Sequence, residues 1–373
     1  MKNSIKVLGA ALLALSIYSC KDKNSFSING ELKNPGNVKK IYLLAADTNR
    51  ITVVDSTNLS EDGKFTFKRS NPYPNIYKMR IGGTVFDLIA ENGQEITFKT
   101  DLNDNSHLYS ISGSMESVKI QEFNQLSNGF MERSNKISAA YQAAAQKLGR
   151  ESDSLAAQFI PQYKQVQDEY STEVIKFIRN NEAQLAAFYA ATTLDQNKYE
   201  RQLIAYADDL GKDDFNGNPA VVAFKKAMAE AKPLSVGHEA PDFTIGSMEG
   251  KPIKLSDYSG KYVMLDFWAS WCGPCVQEMP NVVKQYAAFK DKGLNILGIS
   301  LDEDKAAWQG AVKRLNMSWP QASDLKKWEG PTEMAYRIMA IPSNFIVGPD
   351  GKIVAKNLTG PELEDFLKKT FSK

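Results

Sequence analysis

From Ser25 to about Ser114 apolar and polar residues alternate in short runs separated by turn residues, the period expected of strands with one buried face. The clearest runs are Lys40-Ile41-Tyr42-Leu43-Leu44, Lys64-Phe65-Thr66-Phe67 after Glu61-Asp62-Gly63, Tyr77 to Ile81 and Glu95 to Phe98. They predict a small antiparallel β-sandwich. Tyr73, Tyr77 and Phe86 are expected in its core, and His107, with no second ligand near it, marks no metal site.

From about Glu116 to Ala231 the period becomes helical, with Leu155, Phe159, Tyr163, Val166, Tyr170, Val174 and Phe177 recurring in steps of three and four. One stripe must therefore be buried, and packing against neighbouring helices or domains is expected in preference to dimerisation. Pro161 inside the stripe should kink the helix or mark its first turn, and Asn216-Gly217-Asn218-Pro219 should break it.

After a linker over Ala231 to Gly237, strands and helices alternate. A strand is expected at Tyr262 to Phe267, a helix from Cys272 to about Lys290, a strand at Asn295 to Ser300 and a helix around Lys305 to Leu315. A strand pair should flank Gly348-Pro349-Asp350-Gly351, and a last helix from Pro361 carries Leu363, Phe366, Leu367 and Phe371 on one face. This order implies an α/β sheet with helices on both faces.

Composition narrows the picture. A length of 373 residues suggests two or three domains, and 43% hydrophobic with 24% charged residues is ordinary for a chain that folds in water. A formal net charge of +1 gives no reason to expect nucleic-acid binding. The chain opens with Lys2 and Lys6 and an apolar run from Val7 to Ile17, far shorter than the roughly 20 residues that span a bilayer, which is the pattern of a secretory signal peptide. Leu15-Ser16-Ile17-Tyr18-Ser19-Cys20 resembles a bacterial lipobox, in which the cysteine is lipidated and becomes the first residue after cleavage. Ordinary signal-peptidase cleavage would instead release a soluble exported chain. The expected organisation is a signal peptide over 1–19, a tether and β-rich domain over 20–114, a helical region over 115–232 and an α/β domain over 233–373.

The chemistry lies in Trp268-Ala269-Ser270-Trp271-Cys272-Gly273-Pro274-Cys275, where a strand ends and a helix begins. The first helical turn brings Cys272 and Cys275 together, so they can close a reversible disulfide. Free amides and the positive end of the helix dipole stabilise a thiolate at Cys272, the expected nucleophile, and Cys275 resolves the mixed disulfide. No bound cofactor is needed. Zinc would require more ligands than Cys20 and two scattered histidines supply.

These residues, with the strand Val263-Met264-Leu265-Asp266-Phe267-Trp268, resemble thioredoxin. Gly237-His238-Glu239-Ala240-Pro241-Asp242-Phe243 upstream and the segment with Trp319-Pro320 downstream are similar to the TlpA and ResA class of exported, membrane-anchored thiol-disulfide oxidoreductases, over roughly the last third of the chain. The β-rich part resembles a domain of unknown function found ahead of such modules in lipoproteins. The resemblance implies a thioredoxin-like fold, with Asp266 moving protons to and from Cys275 and a carboxyl pKa raised by burial. It implies that Pro342 is a cis-proline facing the cysteines, that Ile341 docks an extended substrate through its backbone, and that Trp271 shapes the docking surface. Gly273 and Pro274 would tune the potential, Glu278 would stand close to the active site, and Pro280 would bend the helix. The implied function is reduction of protein disulfides in the cell envelope, facing the periplasm or exterior, with cytochrome c maturation as one family role and an unidentified electron donor. Two alternatives are carried. A thiol peroxidase is suggested by Ala240-Pro241-Asp242-Phe243, although Ala269 stands where that pattern has threonine. The other is a surface binding lipoprotein with an accessory redox domain.

Overall fold

The computed structural model describes residues 22–46, 51–104, 109–150, 152–211, 215 and 217–371. Cys20, the signal segment and His107 lie outside the described residues. The chain forms two units, one of residues up to Thr193 with Leu210–Ala223, the other of Leu194–Asp209 with the chain from Phe224 onward. The helices expected over 115–232 are thus shared between the two units.

In the first unit, the alternating runs form β1 (Phe26–Lys33), β2 (Lys40–Ala46), β3 (Ile51–Asn58), β4 (Lys64–Arg69), β5 (Asn75–Ile81), β6 (Thr84–Ala90), β7 (Glu95–Asp101) and β8 (Tyr109–Ser112). They make two four-stranded sheets, ordered β4-β1-β7-β8 and β3-β2-β5-β6, whose inward residues share one apolar core. Tyr77 and Phe86 are buried in it, as their positions in the pattern predict. The sandwich is not wholly antiparallel: β1 runs parallel to β7, with Ile28 beside Ile96. Alternation specifies which face a residue takes but not which strand lies next door or in which direction.

The helical period gives α1 (Met115–Leu148), α2 (Asp153–Asn180) and α3 (Leu185–Ala191). Ser114 caps α1 and Gly149 ends it at φ 71°, where the left-handed conformation favours glycine. The expected stripe packs on α1: Phe177 meets Phe123 at 5.1 Å between ring centroids, Tyr170 meets Phe130 at 5.5 Å, and Phe159 meets Tyr141 at 5.7 Å. Tyr163 departs from the stripe and is 47% exposed. Pro161 lies inside α2 rather than at its start.

The second unit contains α4 (Glu200–Asp209) and the last turns of α5 (Pro219–Ala231), which crosses from the first unit. Then come β9 (Thr244–Gly246), β10 (Pro252–Lys254), β11 (Tyr262–Trp268), α6 (Gly273–Phe289), β12 (Leu294–Ser300), α7 (Lys305–Arg314), β13 (Gln321–Ala322), α8 (Pro331–Ala335), β14 (Ser343–Val347), β15 (Ile353–Lys356) and α9 (Gly360–Phe371). The five-stranded sheet has the order β13-β12-β11-β14-β15. β11, β12 and β13 are parallel, β14 runs antiparallel to β11, and β15 pairs antiparallel with β14. The core takes Met279 and Val282 from α6, Trp308 and Ala311 from α7, and Leu363 and Leu367 from α9. β11 is central and buried from Val263 to Trp268, and its carboxyl end delivers the chain to α6.

Gly298 of β12 pairs with Asp266 of β11 and leaves space for the Gln321 side chain. Gln321 Oε1 accepts a 3.1 Å hydrogen bond from Trp268 Nε1. A methyl group at Gly298 would lie 2.3 Å from that oxygen, and displacing the 4%-exposed Gln321 would break its bond to Trp268. Gly298→Ala should therefore destabilise the unit by about 1–3 kcal/mol. All five tryptophans fall between Trp268 and Trp328, so a urea titration followed by tryptophan fluorescence reports this unit; an unchanged midpoint would contradict the expectation.

Candidate active site

β11 ends at Trp268, and the short loop that follows is held by a buried carboxylate. Ser270 donates to Asp302 through its hydroxyl at 2.6 Å and its backbone N–H at 3.0 Å. Leu301 N–H donates to Trp268 C=O at 2.8 Å. The loop therefore enters α6 from a defined direction, and Cys272 becomes the helix cap with extended backbone at φ −82°, ψ 101°. Its Sγ accepts from Cys275 N–H at 3.2 Å. Pro274 fits the first turn, where a missing N–H removes no helical bond.

Cys272 and Cys275 form a disulfide with S–S 2.09 Å and Cα–Cα 5.3 Å. Both are nearly covered, with Cys272 5% and Cys275 2% exposed. Across from them the Ile341–Pro342 peptide is cis, and the Ile341 carbonyl oxygen lies 3.8 Å from Cys272 Sγ. Residues 69 positions apart in sequence thus meet at one sulfur. The rim next to it is apolar and exposed. Trp271 is 51% exposed, its ring lies 6.3 Å from that of Trp328, and Lys327 Nζ stands 5.9 Å from its centroid.

Asp266 is 5% exposed in the middle of β11, and its Oδ2 has no hydrogen-bond partner. Burial, with a smaller contribution from the Glu278 charge, pushes its carboxyl up to about 7. Glu278 itself joins two helices: its Oε1 accepts from Asn281 Nδ2 on α6 and from Gly360 N–H at the start of α9, each at 2.7 Å. It acts on Asp266 through its field and sits at a helix junction. A carboxyl that changes charge near neutral pH titrates in the range that proton exchange with a thiol requires.

Comparison with known proteins agrees with this geometry. Residues 236–356 match the AhpC/TSA family, and residues 26–119 match a domain of unknown function, DUF4369. The thiol-disulfide oxidoreductase ResA of Bacillus cereus is 32% identical over 157 residues, 41% of this chain and 89% of that protein. ResA of Bacillus subtilis is 33% identical over 144 residues, 39% of this chain and 78% of that protein. The chain belongs to the ResA-like thiol-disulfide oxidoreductases. Among solved structures, the thioredoxin domain of a thiol-disulfide oxidoreductase from Bacteroides vulgatus is 36% identical, covering 37% of this chain and 98% of that one with a TM-score of 0.35.

This ResA-like oxidoreductase holds buried carboxyl groups that sequence patterning does not expose. Asp302 reads as part of an acidic loop, Asp302-Glu303-Asp304, yet it is 1% exposed and positions Ser270. Glu333 reads as a solvated first-turn residue of a short helix, yet it is 1% exposed with both carboxyl oxygens unpartnered, as is Asp324 Oδ2. A Cβ on Gly330 would lie 1.9 Å from Glu333 Oε2 and 2.5 Å from Asp324 Oδ2, so only glycine lets the two side chains approach there. Burial, with Asp324 adding, pushes Glu333 up to about 7.

Because the folded carboxyl holds its proton more tightly than the unfolded one, its protonated form stabilises the fold below pH 4.5, the ordinary value, and that stability is lost as pH rises to about 7. Asp266 acts in the same direction from its ordinary 3.8. Glu333→Gln removes one of these two contributions. The stability of the variant relative to wild type, followed by tryptophan fluorescence in urea, should grow by on the order of 2–3 kcal/mol between pH 5 and pH 8. A difference independent of pH would refute the buried, proton-holding state of Glu333.

Proposed function

We propose that this oxidoreductase is an exported, lipid-anchored reductant of disulfides in proteins of the cell envelope. The observation that supports the reading most is the Cys272 sulfur, set at the amino end of α6 and 3.8 Å from the Ile341 carbonyl beside cis-Pro342. In the reduced enzyme the Cys272 thiolate attacks one sulfur of a substrate disulfide, forming a mixed disulfide as the substrate S–S bond breaks. The departing substrate sulfur takes up a proton. Cys275 gives its proton to ionised Asp266 and attacks Cys272 Sγ, which expels the second substrate sulfur and closes the enzyme disulfide. Two electrons have then moved to the substrate, and a dithiol donor in the envelope returns them.

Ile341 holds the substrate backbone, Trp271 shapes the docking surface, and Gly273 and Pro274 tune the potential from within the ring. Membrane attachment is carried by lipidated Cys20, which the Leu15 to Cys20 pattern supports. Several acyl chains on that cysteine hold a protein where one would not. Cytochrome c maturation is the setting we assign to the reaction.

Cys272→Ser should abolish disulfide reduction, and Cys275→Ser should accumulate the mixed disulfide, seen as a band that disappears on treatment with excess dithiol. Unchanged turnover in either variant would overturn the mechanism, and peroxide consumption at a rate matching disulfide reduction would favour the peroxidase alternative. Asp266→Asn should slow release of the trapped partner about 10–100-fold while the first attack keeps its rate, a split measured by rapid mixing. Cys20→Ser should release the chain from membranes and block incorporation of labelled fatty acid.

A further inference from the structure

Next to cis-Pro342 the second unit has a cleft of about 580 Å³, within the range of ligand-binding clefts. One side is the loop that faces the cysteines, with Met339, Ala340, Pro342 and Ser343. The opposite side is formed by Asn197, Ala227, Glu230 and Ala231, which lie outside the span 236–356 matched by the redox family. Tyr336 and Phe345, both nearly fully buried, also line it.

Ion pairs hold this second wall in place. Arg337 Nη1 and Glu230 Oε2 lie 3.2 Å apart at the mouth, where both side chains are about half exposed. Deeper, Lys356 Nζ meets Glu200 Oε1 at 2.8 Å with both side chains 13% exposed, and Lys356 also donates to the Leu234 carbonyl at 3.4 Å. A buried pair of this kind is costly to break, because removing one partner strands the other charge. The wall is therefore built as a fixed surface.

We propose that this cleft seats the polypeptide segment flanking the reacting cysteine of a substrate protein, and that Ala227 and Glu230 of α5 select that segment. The inference rests on the disulfide-reductase reading of the site. An occupant whose sulfur reaches Cys272 passes Ile341, whose carbonyl lies 3.8 Å from Sγ, and the cleft begins at the residues on either side of Ile341. An extended chain advances about 3.3 Å per residue, so the cleft receives side chains one to three residues from the substrate cysteine. The aromatic lining and the single methyl group of Ala227 leave room for a bulky apolar side chain. Met339, 88% exposed, adds adaptable apolar contact at the rim. At the mouth Glu230 holds Arg337 in its ion pair and so withholds that guanidinium from an acidic neighbour.

The test uses the full chain and two probes that release the same chromophore. One is 5,5′-dithiobis(2-nitrobenzoic acid); the other is a decapeptide with a central cysteine capped by 2-nitro-5-thiobenzoate, made with leucine or aspartate beside the cysteine. Wild type should prefer the leucine peptide. Ala227→Phe should lower kcat/KM for that peptide, relative to the small disulfide, by about tenfold, through KM rather than kcat. Glu230→Lys should shift the preference between leucine and aspartate peptides toward aspartate. Asn197→Phe, filling the cleft from another segment of the same wall, should repeat the first effect, and the unchanged tryptophan emission of each variant checks the fold. A wild-type chain that reduces neither probe overturns the reductase reading itself. Activity on both probes, with the peptide-to-small-disulfide ratio unmoved by Ala227→Phe and Asn197→Phe, overturns the cleft and leaves that reading standing.

Discussion

The position of one sulfur at the cap of a helix is the constraint from which the rest of the redox unit follows. Cys272 accepts from the Cys275 N–H, and in the reduced state the same end of α6 offers a partial positive charge to a thiolate. That requires a chain delivered to the helix from a buried strand along a defined path. β11 supplies the strand, Asp302 holds the turn through Ser270, and Gln321 holds Trp268 just before it. These contacts are polar and buried or partly buried, where an unmade hydrogen bond is expensive, so the junction has little freedom to open.

The same core contains carboxyl groups in surroundings that favour the neutral form. Asp266 sits among apolar strand residues with one oxygen unpartnered, and Glu333 has both oxygens unpartnered beside Asp324. Burial of a carboxyl without a cation weakens the fold at high pH. At Asp266 that expense has a chemical counterpart, because a group titrating near neutrality is matched to proton exchange with a thiol. At Glu333 the fold shows the arrangement without a reacting partner. Gly330 is what makes it sterically possible.

Residues outside the redox motif complete the surroundings of the cis-proline loop. α4 and the end of α5 belong to the same unit as the five-stranded sheet, and the pairs Lys356–Glu200 and Arg337–Glu230 tie them to it. A domain boundary drawn by sequence pattern alone at the linker near Pro233 separates these helices from the sheet they pack against. Helical periodicity says that a face is buried but not which partner buries it.

Much of the redox unit is legible in the linear chain because its signals are local. A strand run ending in Trp268, a Cys272-Gly273-Pro274-Cys275 segment and an amphipathic helix with Met279 and Val282 are set by neighbouring residues, and the structure follows them closely. In the sandwich, alternation likewise assigned Tyr77 and Phe86 to the core. What only tertiary structure decided depends on residues far apart in sequence: the parallel pairing of β1 with β7, the meeting of Ile341 with Cys272, and the burial of Asp302 and Glu333. A period of two or 3.6 fixes the side of an element on which a residue lies. It carries no information about which distant segment will cover that side, and for a polar residue that neighbour decides between a solvated surface group and a buried group that holds the active site.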